Sequence, residues 1–184
     1  MGIPTLIKTL TASGDSSLSF VDGTADVTLD STYDEYMFVC TDIGPATDAT
    51  EFQFNMSDDT SSHSYDIIKT TTFFFAEHTE GGSGGAVAYQ TSRDLAQATG
   101  FQDLCVDVGN GSDESSAGIL HLFSPASTTY VKHFYARFNE YHQNNLSGDC
   151  HISGYFNTTA ALTAIQFKMA SGNFDGVIQM YGIS

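Results

Sequence analysis

The chain has no tryptophan, 3 prolines, 3 cysteines and only 6 Lys plus Arg among its 184 residues. Against those cations stand 22 Asp plus Glu, for a formal net charge of -16. A surface so poor in cations cannot release the counterions that drive binding to a phosphate backbone, and an anionic membrane would repel it. Neither nucleic acid nor membrane is therefore an expected partner. No stretch approaches the ~20 consecutive apolar residues of a membrane-spanning helix. The opening Met1-Gly2-Ile3-Pro4-Thr5-Leu6-Ile7-Lys8 lacks the basic and apolar regions of a secretory leader, so synthesis in a cytoplasm is expected. Cys40, Cys105 and Cys150 are far apart, with no C-x-x-C spacing, and read as buried, reduced, small hydrophobes. The lack of tryptophan weakens a sugar-binding case, although 9 tyrosines still offer stacking faces.

What the chain does have is period-two alternation from end to end, punctuated by Gly, Asp, Asn and Ser. That pattern predicts an all-β protein with no helix of useful length. Expected strands are Leu6–Leu10, Leu18–Phe20, Tyr36–Cys40, Phe52–Met56, Ser64–Thr70, Thr71–His78, Ala86–Thr91, Phe101–Val108, Gly118–Phe123, Thr128–Phe138, Cys150–Phe156, Leu162–Met169 and Val177–Tyr181. In the Phe52 strand one side is wholly polar, Glu51, Gln53 and Asn55, and is expected to meet water. Asp94–Thr99 is the best candidate for a short helical turn, and Gly81–Gly85 reads as a flexible loop tip. Many short strands joined by polar turns predict one domain over 1–184, a two-sheet antiparallel sandwich of jelly-roll type. No solenoid repeat, heptad run or long linker interrupts it.

Catalytic and metal-binding patterns are weak. Gly81-Gly82-Ser83-Gly84-Gly85 satisfies G-x-S-x-G, but the following residues read as a strand where a nucleophile elbow needs a helix. None of the six histidines has H-x-H or H-E-x-x-H spacing. His121 and His133 are expected to be half-buried packing groups, and His78 with Glu77 and Glu80 is the nearest thing to a cluster. Asp58-Asp59-Thr60-Ser61 and Asn110-Gly111-Ser112-Asp113-Glu114 offer hard oxygens in loops, so structural calcium is conceivable, yet neither matches a known calcium loop. No cofactor and no enzymatic activity are expected. With so many acids, some pair always lies at the separation glycoside hydrolysis requires, which makes that pattern uninformative.

The closing run from Met169 to Ile183, with Ser171-Gly172-Asn173 before a last strand ending Tyr181-Gly182-Ile183, resembles the C-terminus of small virion proteins of tailed phages infecting marine bacteria. Leu6-Ile7-Lys8-Thr9 with Ala12-Ser13 and Leu18-Ser19-Phe20 is similar to the first hairpin of those proteins. Tyr33-Asp34-Glu35-Tyr36, Pro45–Phe52, Phe123–Thr129 and Gly154–Thr159 extend the likeness over the chain. Gly172-Asn173 suits a tight hairpin, and Gly176 and Gly182 suit bulges or close backbone approach.

The resemblance implies a virion structural protein. Its first expectation is a capsid decoration or cement protein, a homotrimer bound to the major capsid protein outside the head. The alternative is a tail fibre or spike protein for host receptor binding. The family carries no catalytic residues. Candidate interaction residues are Ile3 and Leu6 near the start, and Gly82 and Gly84 in the glycine run, because termini and loop tips commonly dock onto neighbours. As first-strand residues, Ile3 and Leu6 also read as ordinary sheet core.

Overall fold

The computed structural model describes residues 2–184. Every regular element is a strand: β1 Thr5–Asp15, β2 Ser17–Val21, β3 Glu35–Pro45, β4 Phe52–Ser57, β5 Lys69–Thr79, β6 Gly85–Tyr89, β7 Gln102–Asp103, β8 Ser116–Phe123, β9 Lys132–His142, β10 Leu146–Phe156, β11 Ala164–Met169 and β12 Phe174–Ile183. They form an eight-stranded sheet in the order β1-β12-β3-β8-β9-β10-β5-β6 and a four-stranded sheet in the order β2-β11-β4-β7. All the strand pairings are antiparallel, the arrangement in which one face can pack on a core while the other meets water.

The alternation decides which side faces in. Along β9, Lys132, Phe134, Ala136, Phe138, Glu140 and His142 are buried while His133, Tyr135, Arg137 and Asn139 are exposed. The inward side chains of the two sheets meet in one phenylalanine-rich core. Phe52 of the small sheet contacts Phe138 and Phe174 of the large one, with ring centroids 6.0 and 5.8 Å apart. Phe54 meets Phe134 at 5.1 Å. Such ring pairs add to the area they bury.

The two expected hairpins do not form. β1 belongs to the large sheet and β2 to the small one, so the Ser13–Ser16 turn is a corner between sheets. The turn between β11 and β12 also passes from the small sheet to the large. Gly172 does take a positive φ of 77° there, and a Cβ on it would stand 2.3 Å from Thr47 Oγ1. Gly176 sits at the register shift between Asp175 and Val177.

Several expected strands are shorter than the apolar pattern suggests. Ser64–Ile68 is loop, because Asn55 Nδ2 on β4 donates to Tyr65 O and Asp59 organises the chain before it. Phe101–Val108 reduces to β7, after which Leu104 N and Cys105 N both turn to Phe52 O, at 2.7 and 3.3 Å. Asp94–Thr99 makes no helical turn. It runs alongside β5 with a bend at Ala96 and Gln97, Leu95 N on Thr71 Oγ1 at 2.9 Å and Lys69 and Ala98 exchanging backbone bonds of 3.0 and 3.1 Å. The polar side of β4 meets water only in part, with Glu51 and Gln53 half-buried. Asn55 is fully buried, and its amide also donates to Thr99 O at 2.9 Å. Backbone carbonyls from two loops thus satisfy a side chain that alternation alone assigns to solvent.

Two lysines serve the same purpose. Lys69 and Lys132 are fully buried. Lys69 Nζ donates to Ile67 O at 3.0 Å and Gly100 O at 2.6 Å, and Lys132 Nζ to Thr158 O at 3.1 Å and Ala160 O at 2.6 Å. Each ammonium fastens a loop to the end of a strand.

Candidate functional site

The outer side of the large sheet, opposite the core, is built by cross-strand register. One row runs Leu6, Tyr181, Met37, His121, Tyr135, Ser153, Thr72. The next runs Thr9, Gln179, Val39, Ile119, Arg137, His151, Phe74, Tyr89. Directly opposed residues in such rows lie close enough for their side chains to interact. Among the described residues, nine large hydrophobics are exposed, and six of them lie on this face: Leu6, Phe74, Val87, Tyr89, Ile119 and Tyr135. That concentration makes the face the best candidate for a binding surface.

Polar groups stand among these apolar ones. Arg137 is 68% exposed and forks onto Asp149, with Nε to Oδ1 at 3.0 Å and Nη2 to Oδ2 at 2.9 Å. The Arg137 guanidinium holds the Asp149 carboxyl below the usual carboxylate range, with a further contribution from His151. Asn139 Nδ2 donates to Ser147 Oγ at 2.9 Å and Gly148 O at 2.7 Å. His121 Nδ1 bonds the Glu35 carboxylate, and the His121 ring stacks on Tyr135 with centroids 4.5 Å apart and planes 20° from parallel. Phe123 flanks the same tyrosine at 5.7 Å. His133, expected to be half-buried, is exposed beside Tyr155, because it falls on the outward phase of β9.

Two shallow concavities share Tyr135 and Arg137. The larger, about 530 Å³, is lined by Ile119, His121, Asn139, Ser147 and Asp149 among others. The smaller, about 320 Å³, adds Phe74, His151 and Ser153.

The four residues singled out from sequence stand apart. Leu6, 51% exposed, lies on the outer side of β1, one edge of the sheet, and Ile3, 88% exposed, precedes that strand. Neither is core, because β1 is an edge strand and Leu6 pairs with the outward Tyr181. Gly82 and Gly84 lie in the β5–β6 connection at the opposite edge. A Cβ on either would meet open space. Ser83, in the same connection, accepts at its carbonyl from Thr79 Oγ1, and the strand β6 follows where a nucleophile elbow needs a helix.

The two acidic loops spend their oxygens on the chain itself. Asp59 accepts from the backbone N of Ser61, Ser62, His63 and Ser64 at 2.6–3.0 Å. Those donors hold its pKa far below the ordinary value. Glu114 Oε2 accepts from Gly111 N at 2.7 Å. Among the described residues no group of three or more His, Cys, Asp or Glu converges as a metal site.

A second cluster escaped the sequence reading. Glu140, 1% exposed, points its Oε2 at Val106 N, 2.7 Å away, and its Oε1 has no partner. Burial pushes its pKa up to about 8. Nearby, Arg93 is held between Glu51, Asp103 and Asp107. The three cysteines are buried free thiols, and burial pushes them up as well. A buried Glu in a strand has no distinctive sequence signal, since it occupies a position where alternation expects a hydrophobe. Comparisons of the chain with protein-family models, curated proteins and solved structures found no match.

Proposed function

We propose that this chain is a tailed-phage virion structural protein that works by binding rather than catalysis: a capsid decoration protein, bound as a homotrimer to the major capsid protein on the outside of the head. It would be made in the host cytoplasm and reside in the virion. The observation that carries this reading is the open β1 edge of the large sheet, where Ile3 and Leu6 stand exposed. Surfaces of that kind mark interaction sites. The unpaired β1 edge with Ile3 and Leu6 is the proposed side for lattice contact, since an open edge offers backbone groups as well as apolar side chains.

The strand orders support a jelly-roll reading. β1-β12-β3-β8 and β2-β11-β4-β7 are two sheets whose neighbours alternate between early and late strands, with β5–β6 and β9–β10 added beyond. Jelly rolls recur in capsid proteins and lectins, although fold alone does not decide function. The acid surplus keeps a protein displayed in many copies from self-aggregating, and it argues against nucleic acid and membrane partners.

A second reading, a receptor-binding protein on the tail, is favoured by the polar groove around Arg137 and Tyr135. Virions made without the chain test the first reading. They should lose head integrity on heating or at low salt, and restored virions carrying Leu6→Asp should hold less of the protein. Heads of unchanged stability would overturn it.

A further inference from the structure

We infer that the groove on the outer side of β8, β9, β10 and β5 is a binding site for a neutral oligosaccharide, with Tyr135 and Arg137 as its central contacts. This rests on reading the chain as a displayed binding protein, and it holds for display on head or tail.

The lining chemistry selects the occupant. A protein interface concentrates apolar residues at its centre and polar ones at the rim. Here the two are interleaved instead: Arg137, Asp149, Asn139, Ser147 and Ser153 share the lining with Tyr135, Ile119 and Phe74. A second copy of the chain would bury these polar groups, which are already paired with each other, so that they gain little and lose water. A sugar offers what such a lining can use. Its hydroxyls both donate and accept, matching the guanidinium, carboxylate, amide and hydroxyl side by side here, and its C–H faces stack on aromatic rings.

Geometry provides the slot. One face of Tyr135 is covered by His121, stacked at 4.5 Å, so the opposite face turns toward Ser153, its partner on β10. Beyond Ser153 and Thr72 lies the outer side of β5, where Phe74 closes the smaller concavity, 47% exposed. β9 and β5 are separated by one strand, hence by roughly 9.6 Å, and the intervening Ser153 side chain is small. A flat ring thus has aromatic surface at both ends and a hydroxyl-bearing floor. The extent from β8 to β6, about 19 Å at ordinary strand spacing, gives room for several sugar units.

Charge specifies neutrality. The one guanidinium of the groove, Arg137, is already paired with Asp149, and His151 and His121 bond the Asp149 and Glu35 carboxylates, so the groove offers an ionic ligand no free partner of opposite charge. An anionic polymer would also meet the -16 of the whole chain.

The test is a panel of neutral tri- to hexasaccharides of glucose, galactose, mannose and N-acetylglucosamine, titrated against the full chain by NMR and calorimetry. At least one should bind, perturbing Tyr135 and its neighbours. Tyr135→Ala should weaken that binding at least about tenfold, whereas Tyr130→Ala, an exposed tyrosine outside the groove, should leave it unchanged. Ser153→Tyr leaves Tyr135, Arg137 and Phe74 in place but fills the slot between them, and should abolish binding in a protein of normal melting temperature. No binding at millimolar sugar, or binding indifferent to both groove variants, would overturn the proposal. So would a change of oligomeric state in Tyr135→Ala on sedimentation, which would give the face to a second copy. Virions that carry the chain while no sugar binds would sink this site and leave the virion reading standing; sugar binding by a chain missing from virions would do the reverse.

Discussion

Arg137 and Asp149 face each other across β9 and β10 through two bonds, Nε–Oδ1 at 3.0 Å and Nη2–Oδ2 at 2.9 Å, on the exposed side of the large sheet. Because Arg137 is 68% exposed, water screens the pair, and such surface pairs contribute little to stability. Asp149→Asn should therefore move the denaturation midpoint only slightly. It should still change any activity of the groove, because the guanidinium loses its fixed orientation. A large loss of stability would mean that the pair is a folding element instead.

Glu140 makes stability depend on pH. Its folded pKa is raised from 4.5 to about 8, so the native state holds a proton that the unfolded state has released. The corresponding stabilisation is complete below pH 4.5 and is lost as pH rises through 8. Denaturant melts at pH 5 and pH 8 should show the decline, and Glu140→Gln, which stays neutral throughout, should remove much of it. An unchanged slope in that variant would contradict the burial argument.

Lys69 acts with the opposite sign. Burial lowers its pKa from 10.5 to about 8, so the native state pays for the charge below pH 8 and is relieved as pH rises toward 10.5. Lys69→Met should cancel that rise. It also leaves Ile67 O and Gly100 O without the ammonium, a loss of about 1–3 kcal/mol for the buried Ile67 carbonyl. Hydrogen exchange should quicken around Gly100 in the variant.

Gly172→Val should destabilise by about 1–3 kcal/mol or more, from a positive φ that branched residues avoid and from the approach to Thr47 Oγ1. Thermal melts measure it. An unchanged melting temperature would mean that the β11–β12 corner relaxes freely.

The strand pattern was legible because burial in a sheet imposes period two, and β9, β10 and β12 carry it almost without a break. Sheet membership was not legible. A corner such as Ser13–Ser16 and a hairpin use the same turn residues, and only long-range pairing distinguishes them. Ser64–Ile68 and Leu104–Val108 look like strands because they supply apolar residues to the core, yet their backbone partners are Asn55, Phe52 and Thr50 from elsewhere in the chain. Lys69, Lys132 and Glu140 violate the expectation that charge stays outside for the same reason. Of the outer face of the large sheet, the sequence marks only Leu6 as an interaction residue. Tyr135, Arg137, His151 and Phe74 are unremarkable in sequence and become neighbours through the register of β9, β10 and β5.

Display on a phage particle, the role proposed for this protein, is tested by immunogold labelling of intact virions with an antibody raised against the whole chain. Gold should spread over the heads; gold confined to the tail would transfer the reading to receptor binding, and particles without gold at either place would contradict display.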